Sequence, residues 1–207
     1  MQRFISTLLK VFHIMNLMVS NLFYSSYVRM QLWSNGVKFG KNLMVGGIPY
    51  VHLSRGGKVI IGDNCAIRSW ARFSDTGENR PTVICTMGKG VISIGNNTGM
   101  TSTLLHSENS ITIGNNVKIG GGTRIFDTNF HSIDAKYRNS SEDRKHVKTA
   151  PVVIEDNVFI GTGCIITKGV TIGANSIIAA GSVVINNVNK SEIWGGNPAK
   201  LIKKIQS

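Results

Sequence analysis

Five histidines, three cysteines and eleven Asp or Glu hold most of this chain's capacity to move protons, bind metals or attack carbonyls. His13 and His52 lie outside the repeating part of the sequence, His106 near the edge of a repeat, and His146 in a charged segment. Each reads as a surface or packing residue. His131 differs: it closes Asp127-Thr128-Asn129-Phe130-His131, 18 residues after Ile113, where a hydrophobic repeat stops. An imidazole there suits general acid–base chemistry near neutral pH. The alternative is a loop histidine satisfied by local hydrogen bonds. A base of this kind needs a carboxylate to hold its tautomer. Asp127 is the first candidate and Glu142 the second, and spacing does not choose between them. The histidines lack the spacing of three convergent metal ligands. Cys65, Cys85 and Cys164 are too far apart for a disulfide framework or a CxxC clip, so a reducing cytoplasm is the simplest compartment.

The elements that must carry these groups are visible as a period of six. Ile154, Ile160, Ile166, Ile172, Ile178 and Val184 follow one another at six-residue steps. A small or β-branched residue stands two places before each later one: Val158, Cys164, Val170, Ser176 and Ser182. Neither the helical nor the strand period explains this, whereas a triangular coil of three short strands does. The aliphatic residue points inward, and Gly or Asn at the corners accepts positive φ. The pattern recurs at Ile113, Ile119 and Ile125, at Ile94, and at Ile61, Ile67 and Phe73. It predicts a parallel β-helix over residues 37–195. Ile113 to Ile154 is 41 residues, one short of a multiple of six, and residues 127–150 are densely charged. They are expected to form an extruded loop, with a second departure over Ser74 to Gly90. Such loops are where function usually sits.

Residues 1–36 are expected to form one or two amphipathic helices, because Phe4, Leu8, Phe12, Met15, Val19, Leu22 and Phe23 recur at helical spacing. Val11 to Val28 carries no formal charge but too many polar groups for a lipid-facing span. Packing on the main domain is the plainer reading. A peripheral membrane contact near Arg3, Lys10 and Arg29 is the sharper one. Residues 196–207 are expected to form a short C-terminal tail or helix.

Three signatures make the chain resemble the left-handed β-helix, hexapeptide-repeat acyltransferases. They are Asp127-Thr128-Asn129-Phe130-His131, Ala150-Pro151-Val152-Val153-Ile154, and Ala180-Gly181-Ser182-Val183-Val184 followed by Gly196-Asn197-Pro198-Ala199-Lys200. The sequence looks most like the branch of maltose and galactoside acetyltransferases and of capsule or lipopolysaccharide sugar O-acetyltransferases. The resemblance supplies the left-handed sense of the coil and implies an all-β solenoid. It also implies His131 as general base and acetyl-CoA as co-substrate, with direct transfer and no metal. It places coenzyme A near Phe159, Gly161, Thr162, Ala179, Ala180 and Asn186, with Lys200 and Lys203 toward the phosphates. A homotrimer with active sites between subunits is implied as well.

The chain departs from its relatives at Phe159, where many carry Trp, and at Ile185-Asn186-Asn187, where many carry Thr-Lys-Asp. The Asn that galactoside-type enzymes set against the sugar has no equivalent near Thr101-Ser102-Thr103. That favours a cell-surface polysaccharide or its precursor as acceptor, with Trp70, Arg72, Asp75, Thr101 and Asn129 as candidate acceptor contacts.

A hydrophobic content of 42% excludes a disordered tail protein, and a net charge of +12 points to an acidic partner. Nucleic acid is not expected, for want of a helix-turn-helix, RRM or zinc-finger pattern. Three other functions compete with O-acetylation: N-acetylation of a nucleotide-linked amino sugar, acetylation of an antibiotic, and a non-catalytic β-helical scaffold. A scaffold gives no reason for an imidazole at the mouth of a polar loop.

Overall fold

The computed structural model describes residues 2–71 and 76–206, without the side chains of residues 2–4, 8, 13, 14, 16–18 and 20–22. Arg72, Phe73, Ser74 and Asp75 therefore lie outside the described residues, as do the side chains of Arg3, Phe4, Leu8, His13 and Leu22.

Three parallel sheets build a three-sided prism. The first stacks Lys38–Phe39, Lys58–Ile61, Val91–Ile94, Ser110–Ile113, Val152–Ile154 and Thr171–Ile172. The second and third are built the same way, one strand per coil, so the chain passes round six coils. Three parallel sheets in this order fit the left-handed β-helix that the resemblance implies. Register follows the hexad: Ile61, Ile94, Ile113, Ile154 and Ile172 lie on one column. Ile67, Met100, Ile119, Ile160 and Ile178 form a second. All ten are buried. Each buried aliphatic chain contributes roughly 1.5–3 kcal/mol against exposure, and a parallel row of Val59, Ile92, Ile111 and Val152 fills in beside them.

The corner after the first sheet shows why small polar residues recur. Asn42, Asn64, Asn97, Asn116, Asn157 and Asn175 all occupy positive φ, between 54° and 62°. Stacked amides bond from coil to coil: Asn116 Nδ2 donates to Asn157 Oδ1 at 3.1 Å, and Asn157 Nδ2 to Asn175 Oδ1 at 3.1 Å. Asparagine tolerates this conformation and gains a partner in doing so.

Two insertions interrupt the coils. The charged loop leaves after Arg124–Phe126 and returns at Val152–Ile154, without breaking the Ile113–Ile154 register. The other excursion runs between Ala66–Arg68 and Val83–Thr86, earlier at both ends than Ser74 to Gly90. Ile84 takes the third-column place of that coil and pairs with Val51 and Leu105, while Phe73, expected there, lies outside the described residues.

One helix, Gln2–Ser34, precedes the prism. Its C-terminal end packs beside Met44–Gly46 through the buried Val28 and Leu32, and Arg29 Nη2 donates to Leu43 O at 2.8 Å. At the other end the expected C-terminal helix is corrected. Glu192–Gly196 extends the second sheet alongside Ile177–Ile178, and Ala199–Lys204 returns antiparallel to it. The open end of a sheet carries unpaired N–H and C=O groups, and a returning strand satisfies them. A tail this short gains little as a helix.

Candidate active site at the mouth of the extruded loop

Asp127 is the hinge of the loop. It is buried, and its carboxylate accepts from Ser107 Oγ at 2.6 Å, Glu108 N at 2.8 Å and Asn109 N at 2.9 Å. Ala150 N donates to Asp127 O, and Asn129 N to Lys148 O, so the two limbs of the loop are clipped together at its mouth. Phe130 sits at φ 63° with its N–H on Thr128 Oγ1. Its ring packs between His106 and Phe126, with centroids 4.8 and 5.4 Å away. The next residue, His131, is thereby turned outward, with its N–H on Asn129 O at 2.7 Å.

His131 Nδ1 lies 2.6 Å from Asp143 Oδ2, and Ser132 N donates to Asp143 Oδ1 at 2.7 Å. The His131 side chain is 67% exposed, that of Asp143 only 14%. The Ser132 N–H first, and His131 second, hold the Asp143 carboxyl below its ordinary value. The geometry corrects the expected partners. Asp127 anchors the backbone instead of the imidazole, and Glu142 bonds Lys145 Nζ at 2.9 Å. The adjacent acids Glu142 and Asp143 have the same sequence signal. Only the single turn Asp143–His146 decides which one faces the histidine.

Around this pair the loop is tied internally. Tyr137 and His146 stack at 3.5 Å, which accounts for His146. Arg138 Nη1 donates to Ser132 O and Ile133 O. Arg144, which the sequence reading did not single out, reaches Glu108 Oε1 and Phe130 O at 3.5 Å each.

The expected donor residues fall mostly at the corner after the second sheet. Gly120 N bonds Ile160 O, Gly161 N bonds Ile178 O, Gly181 N bonds Thr162 O, and Ala179 N bonds Trp194 O. Gly161-Thr162 and Ala179-Ala180 therefore stack directly, and Lys200 pairs with Gly195 on the same side. A Cβ on Gly161 would lie 2.5 Å from Ala180 N, so only glycine fits between these coils. Lys203 and Lys204 line a groove of about 540 Å³ with Ile177 and Ile193. Phe159, half exposed, lies with Thr101, Arg68 and Lys118 on a separate groove of about 300 Å³ on the second sheet. Asn186 is not brought to that corner. It follows Val183–Val184 of the third sheet, on the edge from which the His131 loop also leaves.

The acceptor candidates divide as well. Asn129 adjoins His131, Thr101 is buried in the second sheet, and Trp70 lines a groove beneath the N-terminal helix. Arg72 and Asp75 lie outside the described residues. Among the described residues no group of three His, Cys, Asp or Glu could hold a metal ion.

Comparison with known proteins adds to this geometry. Residues 151–186 match the family model described as bacterial transferase hexapeptide (six repeats). Galactoside O-acetyltransferase of Escherichia coli is 33% identical over 137 residues, covering 64% of each chain. A Schizosaccharomyces pombe protein named as a candidate acetyltransferase is 43% identical over 97 residues, 47% of this chain and 44% of that one. The chain thus spans less than two thirds of the length of these curated relatives. Among solved structures, a hexapeptide-repeat acetyltransferase of Vibrio cholerae in complex with acetyl coenzyme A has a TM-score of 0.59 at 27% identity, covering 88% of this chain and 79% of that one. A maltose O-acetyltransferase of Clostridium difficile has a TM-score of 0.51 at 27% identity, covering 81% and 71%. Residues 151–186 carry the bacterial transferase hexapeptide repeat, and with its six-residue columns and three parallel sheets the chain is similar to the galactoside and maltose acetyltransferases.

Proposed function

We propose that this protein is an acetyl-CoA-dependent O-acetyltransferase that modifies a sugar hydroxyl of a cell-surface polysaccharide or its precursor. The carrying observation is the 2.6 Å pair between His131 Nδ1 and Asp143, with the ring otherwise open to solvent. A carboxylate on Nδ1 fixes the tautomer that leaves the Nε2 lone pair free to accept a proton. His131 takes the hydroxyl proton while the sugar oxygen attacks the thioester carbonyl. The tetrahedral intermediate collapses with release of the coenzyme A thiolate, which takes the proton back from the imidazolium. Backbone N–H groups are the oxyanion donors that require no further side chain.

His131 leaves the prism after the third sheet, whereas the Gly161 corner follows the second. A complete site of this kind joins the imidazole of one protomer to the coenzyme groove of its neighbour. That supports a homotrimer with active sites between subunits. The same reading sets the enzyme in the cytoplasm, at the inner face of the membrane.

Incubation with acetyl-CoA and a panel of capsular oligosaccharides is expected to release free CoA. His131→Ala is expected to lose on the order of 10²–10⁴ in rate. Full activity in that variant overturns the mechanism. Turnover confined to nucleotide-linked amino sugars would move the assignment to N-acetylation, and absence of coenzyme binding would move it to a scaffold.

A further inference from the structure

The first acidic residue of the chain is Asp63; before it stand Arg3, Lys10, Arg29, Lys38, Lys41, Arg55 and Lys58. This basic region contains the helix Gln2–Ser34, which at 1.5 Å per residue is roughly 50 Å long, longer than the prism it adjoins. Ile5, Leu9, Phe12, Val19, Phe23 and Met30 recur at steps of three, four and seven, and all are at least half exposed, Phe23 at 76%. They form one apolar ridge along the helix. The buried Val28 and Leu32 lie on the opposite side, against the prism. No helix among the described residues is long and apolar enough to cross a membrane.

Beneath the helix lies an apolar groove of about 670 Å³, walled by Tyr24, Ile48, Pro49, Tyr50, Trp70 and Pro81. Trp70 is held there at φ 70°, a costly conformation for a bulky residue, by its N–H on Arg80 O and its Nε1 on Ile48 O. Gln31 also lines the groove, and its Oε1 is buried without a hydrogen-bond donor. The walls are mostly apolar, so the groove suits an occupant with a long apolar body.

We propose that the helix ridge and this groove together form a docking site for an anionic bilayer. The ridge lies in the interface, and one lipid chain enters the groove. The acid-free basic region supplies the charge complement to lipid phosphates. Such docking gives a physical seat to the membrane-face setting proposed above and is independent of acetyl transfer.

Vesicle flotation of the full chain tests it. Wild-type protein is expected to float with phosphatidylcholine vesicles doped with phosphatidylglycerol, and to do so less as salt is raised. Pure phosphatidylcholine should carry about tenfold less. Phe12→Asp with Phe23→Asp should abolish flotation while acetyl transfer to a soluble acceptor persists. In a Trp33→Phe, Trp194→Phe background, lipids brominated along the chain should quench Trp70 fluorescence, and Ile48→Asp should remove that quenching. Equal binding to neutral vesicles, or none to either, overturns the proposal. So does a ridge variant that dissociates oligomers of a wild type that binds no lipid, because other copies of the chain then cover the ridge.

Discussion

Asp143 Oδ2 lies 2.6 Å from Nδ1 of His131, while its other oxygen takes the N–H of Ser132. The carboxylate therefore fixes both the ring and the backbone that bears it. Asp143→Asn preserves the shape but removes the charge that selects the tautomer. It is expected to lower kcat by roughly 10² with little change in the KM for acetyl-CoA. The carboxyl is lowered on folding, so its stabilisation is complete above the unfolded value and is lost as pH falls through the folded one. The stability gap between wild type and Asp143→Asn should be constant above the ordinary value of 3.8 and close in more acid solution, as read by chemical denaturation across pH.

Asp127 and Glu142 should separate cleanly from Asp143. Asp127→Ala leaves the part-buried N–H groups of Glu108 and Asn109 without their acceptor and the Ser107 hydroxyl with only Val91 O, and should cost roughly 2 kcal/mol in urea unfolding. Glu142→Gln loses only an exposed pair with Lys145, and should change stability by less than about 0.5 kcal/mol and leave kcat intact.

The prism was legible in the sequence because its cause is local and repeated: one inward aliphatic residue every six, and one corner residue able to take positive φ. The loop was legible by the same rule, as the place where Asp127 to Ala150 abandons the hexad. What the period could not carry was contact inside the loop. Nothing in Ser141-Glu142-Asp143-Arg144 says which acid a single helical turn directs at His131. The C-terminal strand escaped for a related reason. Its conformation is set by the unfilled edge above Ile177–Ile178, a partner distant in sequence, and not by the propensity of Ala199 to Lys204.

Gly161 tests the proposed donor corner. An added methyl would fall 2.5 Å from Ala180 N and 2.7 Å from Ala180 Cα, backbone atoms that cannot swing aside. Gly161→Ala is expected to spread the coils, at a cost of about 1–3 kcal/mol, and to weaken coenzyme A binding in calorimetry. Gly163 gives the control. It has open space around it but φ of 70°, so Gly163→Ala should lose about 1 kcal/mol through the backbone alone.

Glu192 caps the far end of the prism. It is buried, accepts from Trp194 Nε1 at 2.8 Å and from Asn189 N at 3.2 Å, and has Lys204 on the returning strand nearby. The indole bond first, then burial acting against it, then Asn189 and Lys204, leave its carboxyl below the ordinary 4.5. Its contribution is therefore present above that value and disappears as pH falls through the lower folded one. Glu192→Gln keeps the volume but loses the charge. It should melt below wild type at neutral pH and converge with it in acid, followed by Trp194 fluorescence. Because the hairpin carries Lys200 beside the Gly161 corner, the same variant should weaken coenzyme A binding at neutral pH without altering acetyl transfer once the coenzyme is saturating.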